Sequence, residues 1–451
     1  VVTDTAGVPA FHHATRGTPA SSWLAAPGRG LAEPLSLAGV ERLVVLAAHP
    51  DDESLGAGGL VASATDHGIP VTVVCATDGE RSHPASPTLT PEHLARIRGD
   101  EGRAALLELG VGQHHLVRLR LPDGDLAEHE AALTTALVQQ VATGPGTVVV
   151  APWREDGHPD HEAAGRAAAA ACRRTDATLW EYPVWFWHWA SPDTAPWHRL
   201  RPWALDEHAR QAKAHAVRAH RSQVAPLSDL PGDEAVVGPE MLARAADPVE
   251  RYVVTPAEDC PDDALDQVHL REPDPWGASR RWYEERKRDL VLAALPRKRH
   301  GRALEIGCSV GDLAAALRER VDSLVAVDRS PAAVRGARER LGDHVDVRLL
   351  DVPSEWPEGR FDLAVVSEVG YFLSPASLDR LVARLDACLE PTGALVLCHW
   401  RHPVEGWALD GSQVHERVAA RLALPLQATY ADRDVEVRVH AADGTWPDPY
   451  L

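Results

Sequence analysis

No stretch of this 451-residue chain approaches the roughly 18 consecutive apolar residues that a membrane-spanning helix needs. Its amino end shows no basic head followed by an apolar run, so a secretory leader is not expected. Basic residues are in deficit. The 46 Lys and Arg stand against 66 Asp and Glu, a formal charge of -20, which argues against nucleic acid or an anionic membrane as partner. Cys-x-x-Cys spacing is missing as well. Cys75, Cys172, Cys260, Cys308, Cys388 and Cys398 are scattered, several inside apolar runs, and read as buried free thiols of a reducing, cytoplasmic compartment. There is no internal repeat. What remains is a globular composition, 45% hydrophobic, on a chain too long for one ordinary core, so two domains are expected.

Phenylalanine is scarce, only 4 residues, which sets off the cluster Trp180, Tyr182, Trp185, Phe186, Trp187 and Trp189. Sugars stack on such faces, but a strand and loop packed as core is the reading preferred here. Residues 1–40 are rich in Gly, Pro, Ala and His and read as an amino-terminal extension, with Trp23-Leu24 packing on the first domain. Strands and helices alternate through a first domain at 41–235. A Pro-, Asp- and Gly-rich interval, interrupted by short apolar pieces at 240–245 and 252–254, supplies a linker with some structure of its own at 236–265, and a second domain follows at 266–451.

The Val-rich run at 43–47 has the pattern of a strand buried on both faces, and it ends in Ala48-His49-Pro50-Asp51-Asp52-Glu53. Parallel strands deliver their chemistry at their carboxyl ends. His49 and Asp52 are thus candidate metal ligands, leaving Asp51 beside them as a base. A second strand-like run at 147–151 ends in the same way, in Asp156-Gly157-His158-Pro159-Asp160-His161. Pro159 suits the first turn of a helix, which brings His158 and His161 together. Two His and one Asp, with water completing the shell, match an open catalytic zinc site. Ferrous iron fits the same donors.

These motifs, with the Gly-rich turn Leu55-Gly56-Ala57-Gly58-Gly59, the strand end Thr77-Asp78-Gly79-Glu80 and the segment from Lys213 to Gln223, resemble the PIG-L/LmbE family of zinc-dependent N-deacetylases. The resemblance implies His49, Asp52 and His161 as zinc ligands, Asp51 as general base, and His158 as the group that polarises the carbonyl. It also places Arg81 and Asp123 at the substrate. The chemistry is consistent, because zinc lowers the pKa of its bound water to about 7. Asp51 then takes a proton, a protonated His158 steadies the oxyanion, and either returns a proton to the leaving amine. Asp160 either orients a neighbouring His or is a helix-start acid favoured by the dipole.

In the second domain, Glu305-Ile306-Gly307-Cys308-Ser309-Val310-Gly311 is a strand running into a glycine turn. The next strand ends in Asp328, about 20 residues on, where ribose hydroxyls are held. The spacing is not that of a dinucleotide fingerprint. It resembles class I S-adenosylmethionine-dependent methyltransferases, and Asp274-Pro275-Trp276, Tyr283-Glu284 and Ser367-Glu368-Val369-Gly370-Tyr371 resemble the NodS-type N-methyltransferases that act on aminosugars. The resemblance implies cofactor contacts at Glu305, Gly307, Gly311, Asp328 and Asp351, with Trp276 and Tyr283 closing over them. His399 and His402 are candidate acceptors of the amine proton, and a surface His near a strand end is the simpler reading of each.

The expected fold class is therefore α/β with two Rossmann-like domains: a mostly parallel PIG-L/LmbE-type sheet, then a seven-stranded class I methyltransferase sheet. The expected function is bifunctional. Zinc-dependent removal of an N-acetyl group from a sugar or natural-product intermediate precedes S-adenosylmethionine-dependent methylation of the freed amine, because an amide nitrogen is a poor nucleophile. Two alternatives remain open: an amidase for larger thiol-sugar conjugates with methylation at an unrelated atom, and a methyltransferase fold that only binds S-adenosylmethionine. The expected partner is a small N-acylated aminosugar or similar amine.

Overall fold

The computed structural model describes residue 15 and residues 17–446. The chain divides between Pro261 and Asp262 into two compact units. The first holds seven strands: β1 Arg42–Ala47, β2 Val71–Thr77, β3 Leu116–Leu121, β4 Thr147–Pro152, β5 Thr178–Tyr182, β6 Leu200–Ala204 and β7 Val249–Thr255. Their order is β3-β2-β1-β4-β5-β7-β6. The pairs among β1 to β5 are parallel, with Leu43 level with Val71 on one side and Val148 on the other. β7 runs antiparallel to β5 and β6. The Val-rich runs form the central strands, where branched side chains pack into both faces of the sheet, and β4 is buried throughout.

The second unit repeats that plan with β8 His300–Ile306, β9 Val321–Asp328, β10 Asp346–Leu349, β11 Phe361–Ser367, β12 Leu389–Trp400, β13 Leu426–Ala431 and β14 Val435–Ala441. The order is β10-β9-β8-β11-β12-β14-β13. In each sheet the winding reverses between the first and fourth strands, and such reversal opens a crevice at their carboxyl ends. Both units are thus Rossmann-like α/β sheets of seven strands. Among the described residues no helix is long and apolar enough to cross a membrane, and all six cysteines are buried and free.

Two expectations are corrected here, that of the linker and that of the Gly-rich turn. The interval at 236–265 is not a linker as a whole: helix Pro239–Ala245 and β7 lie inside the first unit. Its charges misled because they are buried in pairs. Glu250 accepts from Lys213 Nζ at 2.7 Å, from Tyr252 Oη at 2.8 Å and from the backbone N–H groups of Gly59 and Leu60. The extension is tied down from Ala20 onward. Trp23 is buried and donates its indole N–H to the Trp187 carbonyl at 2.8 Å, and Arg29 pairs with Asp247 at 2.9 Å. Residues 1–14 and 16 lie outside the described residues. Finally, Leu55 to Gly59 is no turn but part of helix Asp52–Asp66. Its glycines serve close packing: a Cβ on Gly56 would lie 2.0 Å from the Tyr182 ring, and one on Gly59 would lie 2.4 Å from Leu205.

Candidate active sites

The ends of β1 and β4 bring His49, Asp52, His158 and His161 together at the reversal of the first sheet. The His49 and His158 ring centroids are 5.1 Å apart, and those of His158 and His161 are 4.7 Å apart. Donor atoms of His49, Asp52 and His161 all lie within 4.8 Å of one another, in buried positions. His161 Nε2 stands 3.1 Å from Asp52 Oδ1 yet is a buried nitrogen with no hydrogen-bond partner. Ligand atoms this close, one of them a buried nitrogen without a hydrogen-bond partner, fit a cation between them, and the His2Asp set is that of an open zinc site. A second group, His49 with Asp123 and Asp160, also lies within ligand reach.

Outer partners fix these rings. His161 Nδ1 lies 2.7 Å from Asp156 Oδ2, an outer partner that keeps a proton on Nδ1 and leaves Nε2 as the nitrogen a metal would take. Asp156 also accepts backbone N–H bonds from Val184, Trp185 and Phe186, so the aromatic loop and the ligand share one anchor. Asp160 does not orient either of its sequence neighbours. Its Oδ2 lies 3.1 Å from His49 Nε2, and it accepts from the backbone of Gly124 and Leu126. Asp123, buried, lies 3.2 Å from His49 Nε2 and accepts the Arg81 backbone N–H at 2.7 Å. Arg81 itself is exposed and pairs with Asp125 at 3.0 Å. Of the aromatic cluster, Tyr182, Phe186 and Trp187 are core, while Trp185 lies stacked 6.4 Å from His158.

Asp51 adopts a φ of 135°, a strained conformation for a residue with a side chain, and such strain gathers at functional sites. Burial pushes its carboxyl up to about 6, against the pull of Arg98. Arg98 is buried, 3.3 Å from Asp51 Oδ1, and donates to the Pro50 and Gly79 carbonyls. On the other side Glu53 accepts the Asp51 backbone N–H and lies 3.4 Å from His220. Burial opposes charge on His161, but Asp52 and Asp156 hold it up at about 10. A cation must therefore displace protons from these nitrogens. His158 is the reverse case. Burial first, then His161 and His49, bring it down to about 3, so it is neutral and not protonated as expected. The backbone N–H of Asp160 donates to His158 Nδ1, which places the proton on Nε2 as a donor.

In the second unit a cavity of about 510 Å³ opens at the ends of β8, β9 and β11, walled by Gly307, Ser309, Asp328, Trp276, Tyr283 and Glu368 among others. Gly307 takes a φ of 77° and Gly311 one of 83°. A Cβ on Gly307 would lie 2.0 Å from Val369, so the turn demands glycine. Asp328 accepts the N–H groups of Ser309 and Ser330. Glu305 stands buried behind the turn with Oε2 unbonded, and burial, then Asp328 and Asp312, push its carboxyl up to about 8. An unbonded buried carboxylate oxygen and a glycine cradle fit a polar ligand such as S-adenosylmethionine.

Five expected residues, Glu305, Gly311, Asp351, His399 and His402, are not in that wall. Asp351 lies outside it, 3.6 Å from Arg329, while Val352 and Arg329 line the cavity. His399 is fully buried: its Nε2 accepts the Gly370 N–H at 3.1 Å and its Nδ1 lies 3.2 Å from His415. Burial brings it down to about 4. It supports the loop after β11 and does not face an acceptor. His402 pairs with Asp434 at 2.9 Å near the surface. Sequence reasoning missed Arg98, Asp156 and His220, and gave Glu368 no role. Asp156 carried a faint signal, an acid two residues before His158.

The GlcNAc-PI de-N-acetylase family, PIG-L, matches residues 44–172, and a methyltransferase domain family matches residues 279–431. A 1D-myo-inositol 2-acetamido-2-deoxy-alpha-D-glucopyranoside deacetylase of Mycolicibacterium vanbaalenii is 28% identical over 265 residues, 47% of this chain and 90% of the relative. The deacetylase of the same description from Streptomyces avermitilis is 32% identical over 234 residues, 44% of this chain and 76% of its own. The N-methyltransferase NodS of Bradyrhizobium japonicum WM9, solved with S-adenosyl-L-homocysteine, is 21% identical and covers 40% of this chain and 97% of its own, at a TM-score of 0.36. By that 32% identity across 76% of a relative, the chain belongs to the PIG-L deacetylase family in its first unit, and its second matches a methyltransferase domain.

Proposed function

We propose that this protein removes the acetyl group from an N-acetylated glucosamine-type sugar and then methylates the freed amine. The observation that carries the first half is the convergence of His49, Asp52 and unbonded His161 Nε2 beside strained Asp51. The relatives' printed substrate, a 2-acetamido-2-deoxy-glucopyranoside, supplies the sugar class.

His49, Asp52 and His161 would hold zinc. When bound, zinc supplies a water of pKa about 7 and polarises the amide carbonyl. Asp51, held by Arg98, receives the proton of the attacking water and passes it to the departing amine. His158 donates its Nε2–H to the oxygen on which negative charge develops. Asp156 and Asp160 keep His161 and His49 in register, and Arg81, at the rim with Asp123 beneath it, meets the sugar. In the second unit, Gly307, Gly311, Glu305 and Asp328 would hold S-adenosylmethionine, with Trp276 and Tyr283 over it. Methyl transfer then needs in-line placement of a neutral amine more than acid–base help. Chemical order supports the pairing, since the amide must be opened before its nitrogen is a nucleophile.

Asp51→Ala tests the assignment. Hydrolysis of N-acetylglucosaminyl substrates should vanish while bound zinc stays at the wild-type level. Loss of metal together with activity would mean that Asp51 is a ligand and that the roles are misassigned.

A further inference from the structure

Of the two residues expected to accept the amine proton, His399 is sealed under the loop after β11 and His402 pairs with Asp434 outside the cavity wall, so the methyltransferase cavity must find that group elsewhere. One candidate faces into it. Glu368 follows Ser367 at the carboxyl end of β11, beside the reversal of the sheet, and lines the cavity with Tyr283, Glu284, Lys287, Tyr371 and Trp400. Its backbone takes a φ of 60°, which turns the side chain out of the strand direction. Its two oxygens differ. Oε2 is committed, accepting from Tyr371 Oη and from the Trp400 N–H at 3.3 Å. Oε1 is buried and accepts no hydrogen bond; its nearest charge is Lys287 Nζ at 3.3 Å.

Lys287 does not neutralise this end of the cavity. It is shared, lying 2.7 Å from Glu284 Oε2 as well, with its ammonium 5.2 Å from the Tyr283 ring centroid. Burial opposes its charge, but Glu368 and Glu284 outweigh that and hold its pKa above the ordinary range. Two carboxylates against one ammonium leave one negative charge among aromatic walls. Tyr283 Oη is buried there without a hydrogen-bond partner. A second cation carrying N–H donors would satisfy both Glu368 Oε1 and the phenol, and aromatic faces favour cations as well.

We infer that Glu368 binds the ammonium of the methyl acceptor and takes its proton, so that the second site admits a free amine and refuses the N-acetylated sugar. This rests on the reading that the acceptor atom is nitrogen. The ammonium gives one proton to Glu368 Oε1, and its lone pair forms a bond to the methyl carbon of S-adenosylmethionine. The carbon–sulfur bond breaks with its electron pair going to sulfur, leaving S-adenosylhomocysteine and a methylammonium, while Glu368 releases its proton to water. An acetamide nitrogen carries no charge and shares its lone pair with the carbonyl. It would leave Glu368 desolvated without compensation. Order between the two activities would then be set by this pocket's choice of charge.

The test uses the full chain, D-glucosamine and N-acetyl-D-glucosamine as probes, and Glu368→Gln, which keeps shape and removes charge. Calorimetry run with and without S-adenosylhomocysteine should show cofactor-dependent uptake of D-glucosamine, and not of its N-acetyl form, by the wild type, and no cofactor-dependent uptake of either by the variant. The variant's kcat/KM for N-methylation should fall on the order of 100-fold, the scale of a general base, with S-adenosylhomocysteine affinity unchanged. N-methylation at the wild-type rate by the variant overturns this inference alone. Loss of S-adenosylhomocysteine affinity in the variant also overturns it, by assigning Glu368 to the cofactor. A wild-type enzyme that methylates oxygen, or no amine at all, overturns the reading beneath it.

Discussion

Replacing Asp156 with Asn changes one atom and should cost the first site its metal. Asp156 receives four donors: Val184 and Phe186 N–H on Oδ1, and Trp185 N–H and His161 Nδ1–H on Oδ2. An amide offers one oxygen and one NH2 group. Whichever way it turns, the NH2 group confronts two donors, and the arrangement that spares most backbone bonds sets it against His161. His161 then gives up its Nδ1 proton and carries it on Nε2, the nitrogen that faces Asp52 at 3.1 Å. A protonated Nε2 cannot bind metal. Loss of such an outer partner costs about 10–100-fold in metal affinity, or about 1.4–2.7 kcal/mol. Zinc competition titration against a chromogenic chelator measures it directly. Wild-type zinc affinity in Asp156→Asn would refute the reasoning, because the tautomer of His161 would then not depend on this carboxylate.

Two further outcomes are expected in the second unit. Gly307→Ala puts a Cβ 2.0 Å from Val369 Cγ2 at a φ of 77°; it should destabilise the unit by about 1–3 kcal/mol and abolish S-adenosylhomocysteine binding, read by thermal denaturation and calorimetry. Glu305 has a folded-state pKa raised from 4.5 to about 8, so the folded unit keeps a proton that the unfolded chain releases. Its contribution to stability is complete below 4.5 and is lost as pH rises towards about 8. Melting curves of wild type should therefore fall across that window more steeply than those of Glu305→Gln, and parallel curves would count against a buried, protonated Glu305.

Both sheets, and the residues that each candidate site gathers, could be read from the sequence because those residues stand where Val-rich strands stop. His49, His158 and His161, and likewise Gly307 and Asp328, follow apolar runs directly, and parallel strands bring such ends together whatever the intervening chain does. The outer partners could not be read this way. Arg98 reaches Pro50 from the middle of helix Pro91–Glu108, and Asp160 passes over its neighbours to meet His49. Those choices depend on side-chain direction and helix rotation, which local pattern does not encode. The same limit hid Glu368, which resembled any strand-end acid until the cavity placed Lys287 and Tyr283 around it. It also hid β7, whose Glu250 and Arg251 resemble linker residues in sequence and are paired and buried in the fold.

In the proposed sequence, one site makes the amine that the other methylates. A mass-resolved time course, with zinc-loaded enzyme, S-adenosylmethionine and an N-acetylglucosaminyl substrate, tests it most directly. The deacetylated amine should appear first and the N-methylated amine second, with nothing methylated when Asp51→Ala replaces wild type and methylation restored by adding the free amine. A methylated product that still carries its acetyl group would contradict it.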